Sequence, residues 1–184
     1  AMHAVDRSRR VLYAAVVIGL GVGSAAFHAS MTEWGGWMDL LGIHLFLGVV
    51  LLIDLAALRN RSDRWLVQTV GVGGSVAAGA LWFMDNSFGK YTAGALVVAV
   101  AIAEWRISQT DLRPDRRWLG SAVGLFGAGL AVQWLGRGGG LWCDPAGVLQ
   151  PHALWHLVAA GATIALARHL FPTSGPRSEG RRLS

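Results

Sequence analysis

The sequence predicts an all-α protein: a polytopic transmembrane helical bundle with six spans. Three observations carry that prediction. The chain has 184 residues, of which 53% are hydrophobic and 15% charged, whereas a soluble domain holds about a quarter charged residues. Six apolar stretches are long enough to cross roughly 30 Å of hydrocarbon, which takes about 20 helical residues. The arginines then fall into register with those stretches. Of the 16 basic residues, all but Lys90 and Arg137 lie on one side of a six-span bundle.

The first span is expected at 11–30, preceded by a polar segment 1–10 that carries Arg7, Arg9 and Arg10. It is long enough to cross a bilayer and is not read as a cleavable leader. The second span, 37–58, ends at Arg59, Arg61 and Arg64, and the third follows at 65–84. The fourth, 91–107, has the weakest pattern, because Glu104 and Arg106 sit near its end. Arg113, Arg116 and Arg117 precede the fifth span, 118–136, and the sixth covers 150–171. Residues 172–184, rich in Ser, Gly, Pro and Arg, read as a disordered tail. Short connections make neighbouring helices antiparallel, so residues 11–171 form one bundle. By the positive-inside rule both termini are cytoplasmic. That orientation accounts for the net charge of +5, so nucleic-acid binding is not expected.

Glycines recur at helix-packing spacing: Gly19 with Gly23, Gly71 with Ser75 and Gly79, Gly120 with Gly124. Small residues four apart let backbones approach closely. The run Gly71–Ser75 lacks the Lys-Ser/Thr ending of a phosphate loop and lies within a span. Trp34, Trp37, Trp82, Trp118 and Trp142 stand near span ends, where an interfacial belt accounts for them. The one cysteine, Cys143, excludes an internal disulfide and a Cys-rich zinc module.

Chemistry concentrates at one level of the bundle. His152 and His156 are one helical turn apart in the run Gln150–Ala160, so both imidazoles share a face. Ser24 and His28 repeat that spacing near the end of the first span, and Asp39 opens the second. The alternating helix directions bring all five to the extracytoplasmic side. Ionisable side chains inside a bilayer are costly and point to function. Three neutral imidazoles form a known catalytic zinc set with a fourth position for water, whose pKa falls to about 7. His28, His152 and His156 are therefore the expected ligands of one Zn2+. The spacer Ala153-Leu154-Trp155 holds no carboxylate, which leaves Asp39 as general acid and base. Ser24 would hydrogen-bond the water or a developing oxyanion. A Ser24 nucleophile working with His28 and Asp39 is the alternative, though it lacks a nucleophile-elbow motif. His44 and His169 are expected to be hydrogen-bonded packing residues. Asp54 and Glu104 are expected to pair with arginines such as Arg59 and Arg106.

These residues resemble a family. The stretch Gly23-Ser24-Ala25-Ala26-Phe27-His28, then Asp39, then Leu141-Trp142-Cys143-Asp144-Pro145 and Gln150-Pro151-His152-Ala153-Leu154-Trp155-His156 are similar to alkaline ceramidases. Those belong to a wider superfamily with adiponectin-receptor-like and hemolysin III-like proteins. The resemblance covers the first two spans and the last part of the bundle; between them only hydropathy matches. It implies a zinc-dependent amidohydrolase that cleaves a ceramide-type membrane lipid, with zinc on His28, His152 and His156 and with Asp39 and Ser24 acting on the water. The family has seven spans, and this chain corresponds to the last six. The family's N-terminal acidic cluster has no counterpart, so no calcium site is expected, and Cys143 lacks its disulfide partner. Two other readings stay open: a lipid-sensing receptor-like protein with mainly structural zinc, and a zinc hydrolase acting on a lipid ester or phospholipid. The Arg-, Ala- and Gly-rich composition hints at a high-GC bacterium, and the expected location of this membrane protein is then a bacterial inner membrane.

Overall fold

A computed structural model describes residues 2–113, 115–138, 140–142 and 150–172. Among them there are six helices and no strand: α1 (Met2–Ser30), α2 (Glu33–Leu58), α3 (Asp63–Phe83), α4 (Asn86–Ser108), α5 (Arg117–Gly136) and α6 (Pro151–Leu170). Each contains a stretch of 20 to 26 residues apolar enough to cross a membrane, and at 1.5 Å per residue even the shortest reaches about 30 Å. Every expected span is present. Helix α1 begins at Met2, so most of the segment read as a polar lead-in is helical. The expected tail beyond Pro172, and Cys143 with Asp144 and Pro145, lie outside the described residues.

Local chemistry sets the helix boundaries. Thr32, Ser62 and Asp85 cap α2, α3 and α4, each side chain accepting a hydrogen bond from a backbone N–H three residues on. Such caps satisfy donors that no preceding turn can reach. Only Met31 and Thr32 separate α1 from α2. Met31 turns the chain at φ 50°, a region costly for a side chain of its size. The Ser30 and Thr32 hydroxyls, 2.8 Å apart, brace that turn. Asn60 makes the corresponding turn after α2 at φ 49°, where asparagine is well tolerated.

The described residues form two compact units, Ala1–Pro114 with α1–α4 and Asp115–Ser184 with α5 and α6. In the first, α2 is the central helix and packs against α1, α3 and α4. Its Val49, Val50 and Ile53 are almost completely buried. Lipid tails are as apolar as leucine, so helices in a bilayer associate through close packing and polar pairs rather than through water exclusion. Both devices operate here. At Gly23 a Cβ would come within 2.6 Å of the Met38 carbonyl oxygen, and at Gly42 within 2.9 Å of Leu20 Cα. Glycine is required at those crossings. Trp37 donates its indole N–H to the Ala78 carbonyl at 3.1 Å and packs edge-on against Trp82, a packing role added to its place near a helix end. Arg9 ties α1 to the start of α3 through Asp63 at 2.9 Å.

The expected glycine pairs are only partly used. Gly23 is a contact, but a Cβ on Gly19, Gly71, Gly79, Gly120 or Gly124 would meet nothing within 4 Å. In the second unit the close approaches are Gly129, against the Trp155 ring, and Gly136, against Pro151. Spacing marks where a backbone is accessible; which accessible stretch is used depends on the shape of the neighbour.

Candidate metal centre

In the second unit, the two glycine notches of α5 bracket Gln133. Trp155 of α6 fills the notch at Gly129 and touches Phe126 at 5.8 Å between ring centroids, while Pro151 seats on Gly136. Pro151 stands at the start of α6, where the missing N–H costs nothing. This double seating fixes the register of α6 on α5 and sets His152 opposite Gln133. The His152 Nδ1–H donates to Gln133 Oε1 at 2.8 Å. With its proton on Nδ1, the ring directs a lone pair from Nε2. His156 Nε2 lies 3.1 Å from that atom, and the two rings stand at 88°.

Two imidazole nitrogens at that separation match one edge of a tetrahedral metal site. Zn–N bonds of roughly 2.0–2.1 Å give an edge of about 3.3 Å. A second partner that fixes the tautomer of a ligating histidine is the usual companion of such a site, and Gln133 has that position. Replacing Gln133 with leucine is expected to lower zinc affinity about 10- to 100-fold, measured by competition with a chromophoric chelator. Gln133→Glu, which keeps an acceptor at the ring, is expected to retain it.

In the first unit, the Gly23 notch against Met38 and the Asp39 backbone sets the Ser24 turn of α1 beside the Asp39 turn of α2. Ser24 and Asp39 are half-buried there, and His28 is exposed one turn further along α1. The imidazoles of His28, His152 and His156 are candidate ligands for a metal ion.

Other polar groups have structural partners. His44 is buried; its Nδ1–H donates to the Leu40 carbonyl at 2.8 Å, and its Nε2 accepts from the Thr92 hydroxyl at 2.8 Å. The packing reading of His44 holds. His169 is buried in the last turn of α6, the opposite end from His152. Asp54 and Glu104 do pair with an arginine, but it is Arg113 rather than Arg59 or Arg106. Arg113 Nη1 donates to Asp54 Oδ1 and Glu104 Oε1, both at 2.8 Å. The reason is reach: Arg113 follows the end of α4 and folds back between the two helices, where a guanidinium can serve both acids. This cluster stands about 22 Å along α2 from Asp39, at 1.5 Å per residue. Gln133 escaped the sequence reading, although a single amide within the apolar run Val123–Leu135 was an available signal.

Fold and site together describe a protein of six apolar, membrane-length helices with a histidine group that could hold a metal ion. Comparison with protein-family models, curated proteins and solved structures finds no match to this chain.

Proposed function

We propose that the protein is a zinc-dependent intramembrane lipid amide hydrolase, similar in its chemistry to alkaline ceramidases. One observation carries the reading: the His152 and His156 Nε2 atoms 3.1 Å apart, with His152 held on its other nitrogen by Gln133. His28 would supply the third ligand, on the sequence argument that α1 and α6 bring it to the same bilayer level. The three imidazoles are neutral donors of the type zinc takes. Bound there, zinc would make hydroxide available near neutral pH and polarise a carbonyl.

The remaining work falls to residues of the first unit. Asp39 would hold the proton from the attacking water and pass it to the departing amine, so that base becomes acid within one cycle. Ser24 would donate its hydroxyl hydrogen to the oxygen that gains charge as the amide carbonyl is attacked. The lipid's chains would lie among the helices with the amide at the level of His152. The arginine asymmetry supports cytoplasmic termini and a site toward the extracytoplasmic leaflet, and a bacterial inner membrane is the setting proposed.

The test uses Asp39→Asn on the full chain in detergent. Zinc content should stay at wild-type level while hydrolysis of a labelled ceramide falls about 10²- to 10⁴-fold, the range for a lost general acid–base. Full activity in that variant would remove Asp39 from the mechanism. Bound zinc and tight lipid binding without turnover in the wild type would favour a receptor-like protein instead.

A further inference from the structure

The end of the second unit opposite the histidines gathers positive charge without matching acid. Among the described residues of that unit stand Arg116, Arg117, Arg137 and Arg168, but a single carboxylate, Asp115. Trp118, in the first turn of α5, meets two of these cations. The guanidinium of Arg168, from the last turn of α6, lies 4.5 Å from the centre of its ring, and that of Arg117 lies 5.6 Å from it. Asp115 pairs with Arg117 at 3.0 Å, but both side chains are more than half exposed, and such a pair contributes little. Among the described residues no carboxylate pairs with Arg168. Two guanidiniums held on one indole repel each other, and the ring offsets part of that repulsion. A bound anion would offset the rest. At 1.5 Å per residue, Trp118 stands about 22 Å along α5 from Gln133, so this end is separate from the candidate metal centre.

Beyond Arg168 the surface of α6 turns apolar. Ile164, Leu157 and Leu154 precede it along one stripe of the helix, and all three are exposed. We infer that this end of the α5–α6 pair seats an anionic membrane phospholipid, with its phosphate on Arg168 and Arg117 beside Trp118 and an acyl chain along that stripe. The two parts select the class together. A free phosphate would find the arginines but nothing apolar to hold. A zwitterionic lipid would fit the stripe but bring its own cation toward two arginines. The guanidinium fork matches phosphate oxygens at two points, and an amphipathic indole suits the headgroup level where such a contact forms. Basic pockets between membrane helices bind anionic headgroups for the same reason. The lipid is bound there and not cleaved, so the inference does not rest on the hydrolase reading.

The experiment places the full chain in phosphatidylcholine vesicles with a trace of phosphatidylglycerol or phosphatidylcholine, each carrying the same photoreactive acyl chain. After irradiation, peptide mass spectrometry reads the labelling of residues 154–164 in α6. Phosphatidylglycerol should label that segment about 25-fold more, at about fivefold for each of two arginines facing an anionic lipid. Arg168→Gln should lower the preference about fivefold and leave labelling by phosphatidylcholine unchanged, while Arg168→Lys should keep most of it. Arg59→Gln combined with Arg61→Gln, which removes charge from the first unit, should leave it unchanged. Equal labelling by the two lipids in the wild type, or a preference that Arg168→Gln leaves undiminished, would overturn the inference. An equal loss in the Arg59 and Arg61 variant would also overturn it, since diffuse net charge would then explain the preference. Soluble glycerol phosphate in excess is the last arm: if it abolishes the preference, the arginines serve free phosphate esters and the lipid assignment falls. Neither zinc nor turnover enters the readout, so the hydrolase reading stands or falls separately.

Discussion

Replacing Arg113 with methionine is expected to lower stability by about 3–5 kcal/mol, the usual consequence of removing one partner from a buried ion pair. The guanidinium bonds two carboxylates at 2.8 Å, with side-chain exposures of 8% for Arg113, 0% for Asp54 and 8% for Glu104. Without it, two buried acids lose their shared cation and repel each other. The cost therefore comes from what remains rather than from what is lost. Unfolding in mixed micelles, followed by helical circular dichroism, would measure it. The triple variant Asp54→Leu, Glu104→Met and Arg113→Met should recover most of the loss, because apolar replacements of similar volume remove the desolvation penalty with the charges. A single variant within about 1 kcal/mol of wild type would mean that water reaches the cluster and the pairs are worth no more than exposed ones.

The second large effect concerns the histidine pair. Wild-type protein is expected to carry about one zinc per chain, and His156→Ala should lose nearly all of it. The fall in affinity should exceed the roughly 10- to 100-fold that follows loss of an outer partner, because one of the nitrogens at the 3.1 Å edge is removed. Elemental mass spectrometry of both proteins, purified side by side, reads the outcome. Hydrolysis of a labelled lipid should disappear with the metal. A well-folded wild type with no zinc would return both histidines to a packing or proton-transfer role, and the proposed hydrolase would fall with them. His44→Ala is the useful contrast. Its ring bonds Leu40 and Thr92, so stability should drop while zinc content stays.

The six helices were legible because membrane spans obey a simple rule. Without water to satisfy the backbone, each apolar crossing must bond its own N–H and C=O groups, so length and hydropathy nearly specify the element. Histidine spacing was legible for a similar reason: residues four apart on a helix share a face whatever surrounds them. What lay beyond the sequence was every choice among equivalent neighbours. Gly23 and Gly129 became contacts while Gly71 and Gly120 did not, since each notch needs a shape to fill it. Asp54 and Glu104 announced a need for a cation, but only the path of the chain after α4 chose Arg113 over Arg59 and Arg106. Gln133 and His152 are 19 positions apart, and nothing local links them. Two glycine notches, filled by Trp155 and Pro151, bring them together. The sequence by itself determined the helices and the faces on which their polar side chains lie, because both follow from backbone geometry. Tertiary packing alone decided the partners, because steric fit between distant segments selects one register among many that hydropathy allows.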